Sequence, residues 1–550
     1  MVRAEPEHWD RATDVVVIGS GTGLAAALAA VGGGADVLVL EKSPYIGGTT
    51  AVSGGGSWVP NSRPVLESVG ETPREELLTY LRKVTGGRTP EEKLERYVDD
   101  APVVYEYIEE ETPVEFTHAR GLSDYHAEFE GGDPDGRMIV PEFYDGDRLG
   151  DKLAHVRESP HFPLPVTYEE IKEGAGSATV FPLTADYDTL HRRKENNVLG
   201  TGRALIGGLY EALLNRDVEF EREVPATELI MDGDAVVGVV AEVDGTETKI
   251  GAGAVIIAAG GLEWDDEMRE QFLRGPLTGP ASPPYNEGDG IVLGTEAGAK
   301  LGNTDEAFWF PTVDVPGETW EDGSSLYRLE TTRHLPGAII VNEAGERFTD
   351  ETMNYNDISK SFHEFDPHEY EYRNLPAYQI MDHRFRESYP LVSGVLPDDD
   401  LPEWITTGET LADLAGKLGV NADGLRTTVR QFNEHARDGE DPEFHAGSTA
   451  FGQKRGDPEA AHPNLAPLEE PPYYAFELQP GAIGTKGGLV TSIDAEVLDT
   501  EDTPIPGLYA SSNSAAHIMG LGYAGGGATI GPNIVYGFIA GENAAGFATQ

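Results

Sequence analysis

Cysteine is missing from all 550 residues, which excludes disulfides, thiolate metal sites and cysteine-ligated iron–sulfur clusters. Basic residues are scarce as well: 40 Lys and Arg stand against 96 Asp and Glu, a formal charge of −56. That imbalance repels phosphate over the whole surface and argues against a nucleic-acid partner. The acids are spread along the chain rather than gathered in blocks, as in a solvated acidic coat suited to a very salty, halophilic cytoplasm where screening weakens self-repulsion. Stability and activity are accordingly expected to rise in molar salt, and equal unfolding midpoints at low and high salt would contradict the coat. No apolar run reaches the about 18 residues needed to span a bilayer, and no cleavable signal opens the chain. The expectation is a soluble, cytoplasmic protein without a transmembrane segment. No cluster of His, Asp and Glu has metal-ligand spacing, and His126, His334 and His517 read as hydrogen-bonding or surface residues.

Glycine, in contrast, is plentiful at 67 residues, and much of it sits in loops that follow apolar runs. Asp14–Ile18 is a continuous apolar run, as expected of a strand buried on both faces of a parallel sheet. Gly19-Ser20-Gly21-Thr22-Gly23 then turns into an alanine-rich helix over Leu24–Val31, and a second buried strand ends at Glu41. Strand, glycine turn, helix, strand and acid form the dinucleotide fingerprint, with Glu41 placed for a ribose hydroxyl and Leu24 standing where a third glycine is usual. Two further small-residue loops follow, Gly47-Gly48-Thr49-Thr50-Ala51 and Ser53-Gly54-Gly55-Gly56. They suit a cofactor longer than a nicotinamide dinucleotide, whose pyrophosphate and ring are both reached by backbone, and so point to FAD.

Thr201-Gly202-Arg203-Ala204-Leu205 opens a helix, Glu219–Glu223 and Ala235–Val243 read as strands of a meander, and Val255–Ile257 as a buried strand closing on Ala258-Ala259-Gly260-Gly261. From about 290 to 478 the texture turns aromatic and charge-rich, with 437–471 reading as loop; from Gly484 glycine-flanked strands return. The expected class is α/β: a Rossmann-like FAD-binding domain (1–289 and 479–550) carrying a large inserted α+β substrate domain (290–478). Near the C-terminus, Met519–Pro532 is a glycine-rich loop with one phenol, Tyr523, in its middle. Glu501–Gln550 holds neither Lys nor Arg, so this loop suits a neutral polar oxygen, in a cleft free of positive charge.

Taken together these motifs resemble the flavoproteins of fumarate reductase and succinate dehydrogenase architecture and, within them, the 3-ketosteroid Δ1-dehydrogenases, nearly end to end. The resemblance implies FAD contacts at Gly19, Ser20, Gly21, Gly23, Glu41, Lys42, Gly48, Thr49, Thr50, Ser53, Gly54, Gly55, Val224, Ala259, Gly260, Asp289, Asn513 and Ile530. It also implies four active-site positions: Tyr125, Tyr355, Tyr523 and Gly527. On that pattern Tyr523 and the Gly527 N–H grip a ketone oxygen, Tyr355 takes the α proton and Tyr125 bonds to Tyr355, while FAD accepts the β hydride and passes electrons to an unknown acceptor. A phenol of ordinary pKa, about 10, is a poor base at neutral pH, so some neighbour must favour the phenolate. Asn354 replaces a proline common before the second tyrosine, Gly56 stands where a serine can occur, and Leu122 is smaller than a typical aromatic wall. Phe308, Trp309 and Phe310 could wall an apolar pocket or pack a core. The rivals are a dicarboxylate oxidoreductase, which needs arginines to clamp its substrate, a flavin-binding protein without turnover and a nicotinamide-binding module.

Overall fold

A computed structural model of the chain describes residues 2–175 and 181–549. Its organising layer is a nine-stranded sheet. The strand Arg11–Ile18 pairs in parallel with Val37–Glu41 on one side and Thr246–Ile257 on the other. Val15, Val16 and Val17 are fully buried, as a strand covered on both faces requires. Glu219–Arg222 extends the sheet beyond Val37–Glu41, while Ala226–Asp232 and Ala235–Val243 form an antiparallel meander with Thr246–Ile257. Pro504–Ala510 adds in parallel to the end of Thr246–Ile257, so the last part of the chain rejoins the first sheet. The helix Gly23–Gly32, nearly all small apolar residues, packs under this layer against the C-terminal helix Ile530–Ala548.

Between these parts a second sheet of seven strands is built around Tyr473–Thr485, which pairs with both Ala307–Thr319 and Ala377–Met381. Period-two alternation divides its two cores. Ile340 joins Phe362, Met381 and Phe476 on one face, while Ile339 and Val341 meet the helices Leu411–Leu418 and Ala422–Ala436 through Leu414, Leu425 and Val429 on the other. The same alternation settles the Phe308-Trp309-Phe310 run. Trp309 turns to a small core with Leu273 and Leu277, whereas Phe308 and Phe310 stack on tyrosines of the site described below. Among the described residues no helix is long and apolar enough to cross a membrane.

The stretch 437–471, read from its composition as loop, also carries a short helix, Ala450–Arg455. Thr449 caps it by accepting from the Gly452 N–H, which lets six residues hold a helical turn amid glycine and proline.

Lys93 sits fully inside the interface between the helices Glu91–Glu111 and Ile530–Ala548, donating to Thr491 Oγ1 and lying 5.1 Å from the Tyr536 ring centroid. Burial lowers its pKa to about 7. A lysine whose pKa is lower folded than unfolded costs stability while it is charged, and that cost fades as pH rises from about 7 towards the ordinary value of 10.5. Lys93→Met is therefore expected to stabilise the fold by about 1–4 kcal/mol at neutral pH. It should also flatten the rise of unfolding midpoint with pH across that window, as read by thermal melts.

Candidate active site

A single cavity runs from the glycine turn of the first sheet to the glycine-rich loop near the C-terminus. Gly19, with φ of +103°, makes the turn at its head; a Cβ there would lie 2.2 Å from the Ala258 carbonyl oxygen. Gly19, Ser20, Gly21, Glu41 and Lys42 line the cavity from the first βαβ unit. Gly48, Thr49, Thr50, Ser53, Gly54 and Gly55 line it from the following loops, and Val224, Ala259, Gly260, Asp289, Asn513 and Ile530 from distant parts of the chain. Gly23 does not reach it: this glycine packs on Ala258 and Val17, where the helix crosses the strand, so its smallness serves packing rather than ligand approach.

Glu41 is buried and accepts from Ser20 N–H at 3.1 Å, Ser20 O–H at 2.5 Å and Ser43 N–H at 2.8 Å. Its carboxylate thus pins the glycine turn while keeping lone-pair capacity for a ligand hydroxyl. Lys42 is held between Glu287 and Asp289 at the cavity edge.

Polar groups lacking protein partners mark the same walls. Among the described residues, Thr22 Oγ1 and the Nε and Nη2 atoms of Arg157 are buried without a hydrogen bond, although Arg157 Nη1 does reach Glu321. A turn with no side chain in the way, an acid, and donors left over for an anion fit the ribose and pyrophosphate of an adenine dinucleotide. Glu41→Ala removes the brace and the ribose acceptor together. It is expected to strip flavin during gel filtration, read as a fall in the ratio of visible to ultraviolet absorbance.

At its other end the cavity is closed by three phenols from three distant segments. Ring centroids lie 5.2 Å apart for Tyr125 and Tyr355, 5.1 Å for Tyr125 and Tyr523, and 5.7 Å for Tyr355 and Tyr523. Tyr125 N–H donates to the Ala524 carbonyl at 3.1 Å, which ties its loop to the glycine-rich one. Next to it the buried Asp124 accepts from Trp58 Nε1 and Arg137. Tyr355 opens a short helix, Tyr355–Ile358, capped by Asn354, whose side chain accepts from the Asp357 N–H. The residue standing where a proline is common therefore performs the capping.

Phe310 stacks on Tyr355 at 4.2 Å, and Phe308 lies 5.4 Å from Tyr523. Tyr523 O–H shares a hydrogen bond of 2.8 Å with Thr529 Oγ1. Gly527 has φ of +81°, and a Cβ would come within 2.4 Å of the Gly56 backbone. Its N–H donates to no acceptor among the described residues. Met138 fills the space beside Gly56 that a serine side chain would need.

Burial, first of all, pushes Tyr125 and Tyr355 well above the ordinary phenol value, and repulsion among the three phenols adds to it. Burial raises Tyr523 as well, and hydrogen bonds with Thr529 and Tyr355 oppose that rise. The cation that opposes the rise at Tyr125 is Arg455, at the end of the Thr449-capped helix, its guanidinium 3.8 Å from the Phe451 ring and 5.7 Å from the Tyr125 ring. Burial lowers the pKa of Arg455, while Tyr125, Tyr355 and Tyr168 each favour its charged form.

Arg455 and Lys454 line the cavity, and this corrects the expectation of a cleft free of positive charge. The C-terminal loop has no cation of its own, but a segment some seventy residues upstream delivers one. Arg333 and His334 also line the cavity; Arg333 is occupied by Glu330, and burial drives His334 well below the ordinary imidazole value.

A dinucleotide cradle opening onto a ring of buried phenols, with a spare main-chain donor beside them, defines a flavin-dependent oxidoreductase. The FAD binding domain family matches residues 14–530, and the chain belongs to that family, in the branch that holds the 3-oxosteroid 1-dehydrogenases. It is 38% identical to 4-oxocyclohexanecarboxylate 2-dehydrogenase of Sinomonas cyclohexanicum, over 97% of this chain and 93% of that one. Identity to 3-oxosteroid 1-dehydrogenase of Mycobacterium tuberculosis is 35%, over 96% and 97%. The crystal structure of 3-ketosteroid Δ1-dehydrogenase from Sterolibacterium denitrificans with 1,4-androstadiene-3,17-dione superposes with a TM-score of 0.91 at 35% identity, covering 98% of this chain and all of the other. The cofactor is FAD.

Proposed function

We propose that the protein introduces a carbon–carbon double bond next to the ketone of a cyclic substrate, a 3-ketosteroid desaturated between C1 and C2, within a domain inserted into the FAD-binding fold at about 290–478. The observation that carries this reading is the convergence of Tyr125, Tyr355 and Tyr523 within 5.1–5.7 Å, beside an N–H of Gly527 that meets no acceptor among the described residues. Tyr523 O–H and Gly527 N–H present two donors to a ketone oxygen, which stabilise the enolate as it develops. Thr529 orients the Tyr523 hydroxyl. Tyr355, once a phenolate, accepts the proton from the α carbon, with the Tyr125 ring packed edge-on beside it. Arg455 supplies the positive field that favours phenolate in this group. When bound, FAD supplies the acceptor for the hydride that leaves the β carbon, so that proton and hydride together account for the two hydrogens removed. Apolar walls from Phe310 and Leu122 keep water from competing for the proton.

Anaerobic mixing with a saturated or 4-ene 3-ketosteroid is expected to bleach the visible flavin absorption. Oxidised flavin left unbleached by any ketosteroid would overturn the reading, and rapid re-oxidation of reduced protein by fumarate would favour the dicarboxylate rival. A second reading is favoured by Arg455, a cation at the phenol end of the cavity that suits a carboxylate on a small ring. The substrate named for the Sinomonas relative, 4-oxocyclohexanecarboxylate, has that form. Side-by-side kcat/KM values for the steroid and the keto acid decide between the two.

A further inference from the structure

Behind the three phenols lies a charged network that the chemistry above does not use. His126, next to Tyr125, pairs through Nε2 with Asp357 Oδ2 at 3.0 Å. Asn356, next to Tyr355, donates to Asp357 Oδ1 at 3.0 Å and offers its own Oδ1 to Lys486 Nζ at 3.2 Å. Lys486 Nζ also donates to the Gly522 carbonyl at 2.7 Å, and Lys360 Nζ to the Leu521 carbonyl, the two residues immediately before Tyr523. Lys360 is itself 3.7 Å from both Asp357 and Glu306. Each tyrosine-bearing segment therefore contributes a group to one partly buried assembly: His126, the Asn356–Asp357 pair, and two successive carbonyls of the glycine-rich loop.

Gly522 stands directly before Tyr523, and the loop is also tied at Leu521 and Ala524, so a grip on the Gly522 carbonyl completes the restraint of the backbone around the phenol. A lysine that holds Gly522 O and Asn356 Oδ1 at once fixes the spacing between the ketone-binding phenol and the proton acceptor. Resting on the desaturase reading above, we propose that Lys486 is a positioning residue for this reaction, acting through the Gly522 carbonyl and the Asn356 side chain. Lys486 is fully buried beneath the Phe308 ring, 5.1 Å from its centroid. The charged groups around it are Lys360, Arg88, Glu306 and Asp357, with His517 close by. Burial, then repulsion from Lys360, lowers its pKa to about 7, while Glu306 and Asp357 work against the fall. Above neutral pH its ammonium is lost, which weakens the charge-assisted grip on both acceptors.

The test compares wild type, Lys486→Met, Lys486→Arg and Asn356→Ala as holoenzymes under steady-state turnover of the ketone that bleaches the wild-type flavin. Lys486→Met is expected to retain FAD and lose about 10–100-fold in kcat, the scale of a displaced reacting group, with KM changed by less than about threefold. The step in log kcat near pH 7 should vanish with it, and Lys486→Arg should restore part of the rate; a merely structural lysine would move neither the pH profile nor the split between kcat and KM. A flavin-loaded Lys486→Met with wild-type kcat and pH profile overturns the proposal and leaves the desaturase reading intact. Failure of the wild type to turn over any cyclic ketone overturns both. Should Lys486→Met not fold, Asn356→Ala decides the matter: a rate down about tenfold or more supports the proposal, and an unchanged rate overturns it.

Discussion

Tyr523→Phe is expected to keep its FAD and turn over about 10²–10³ times more slowly, with most of the loss in kcat. The substitution leaves the ring in place against Phe308, Tyr125 and Tyr355, so the packing that closes the cavity survives. It removes one oxygen. In the resting site that oxygen is bonded to Thr529 Oγ1, which loses a partner it can replace with water. With substrate bound, it is one of two donors at the ketone oxygen, and its bond strengthens as negative charge develops there. An interaction that grows towards the transition state lowers the barrier without tightening ground-state binding, which is why kcat rather than KM carries the effect. Gly527 N–H remains, so some enolate stabilisation persists and the rate stays measurable. Stopped-flow flavin reduction under anaerobic conditions isolates the step. Bleaching at the wild-type rate would remove Tyr523 from the oxygen site and leave its hydroxyl a packing partner of Thr529.

Local pattern carried the dinucleotide end of the molecule. The run into Gly19, the helix after it and the strand ending at Glu41 are short-range consequences of burial and glycine geometry, and the observed strands Arg11–Ile18 and Val37–Glu41 fall where the apolar runs lie. Gly23 lies outside the cavity for a physical reason: a glycine that lets backbone approach a ligand and one that lets a helix approach a strand look alike in sequence, and here the neighbours are Ala258 and Val17. Tyr125 and Tyr355 were legible through resemblance rather than chemistry, because no local signal separates them from the other tyrosines, whereas Tyr523 stands out as a lone phenol in a glycine-rich loop. Arg455 was not legible at all. Its helix is six residues long, in a stretch dominated by turn formers, and its meeting with Tyr125 spans 330 positions of chain by the numbering. The absence of Lys and Arg from the last fifty residues describes the loop alone, whereas the electrostatics of a site belong to every segment folded against it. Lys486 and Lys360 show the same limit, since their acceptors are main-chain carbonyls that any residue could provide.

Tyr355→Phe should have the larger effect, about 10²–10⁴ in kcat, because it removes the proposed proton acceptor itself. Phe310 stacks on the ring at 4.2 Å and Tyr125 meets it edge-on, contacts that phenylalanine reproduces, so folding and flavin content are expected to match the wild type. The distinguishing readout is pH. Burial, and then the neighbouring phenols, hold the Tyr355 pKa well above its ordinary value, so the reactive phenolate is a small fraction of the protein at neutral pH. Below that pKa the fraction rises about tenfold for each pH unit, and log kcat of the wild type should climb, above the neutral range in which the Lys486 ammonium is lost, with a slope approaching one while proton abstraction limits the rate. In Tyr355→Phe the residual reaction depends on water or another residue, and this alkaline climb should disappear. Exchange of the substrate's α hydrogen into deuterated buffer, which needs the proton acceptor but no hydride transfer, should fall in parallel. A variant that keeps both the exchange and the alkaline climb would transfer the role to Tyr125, the other phenol that Arg455 stabilises as an anion.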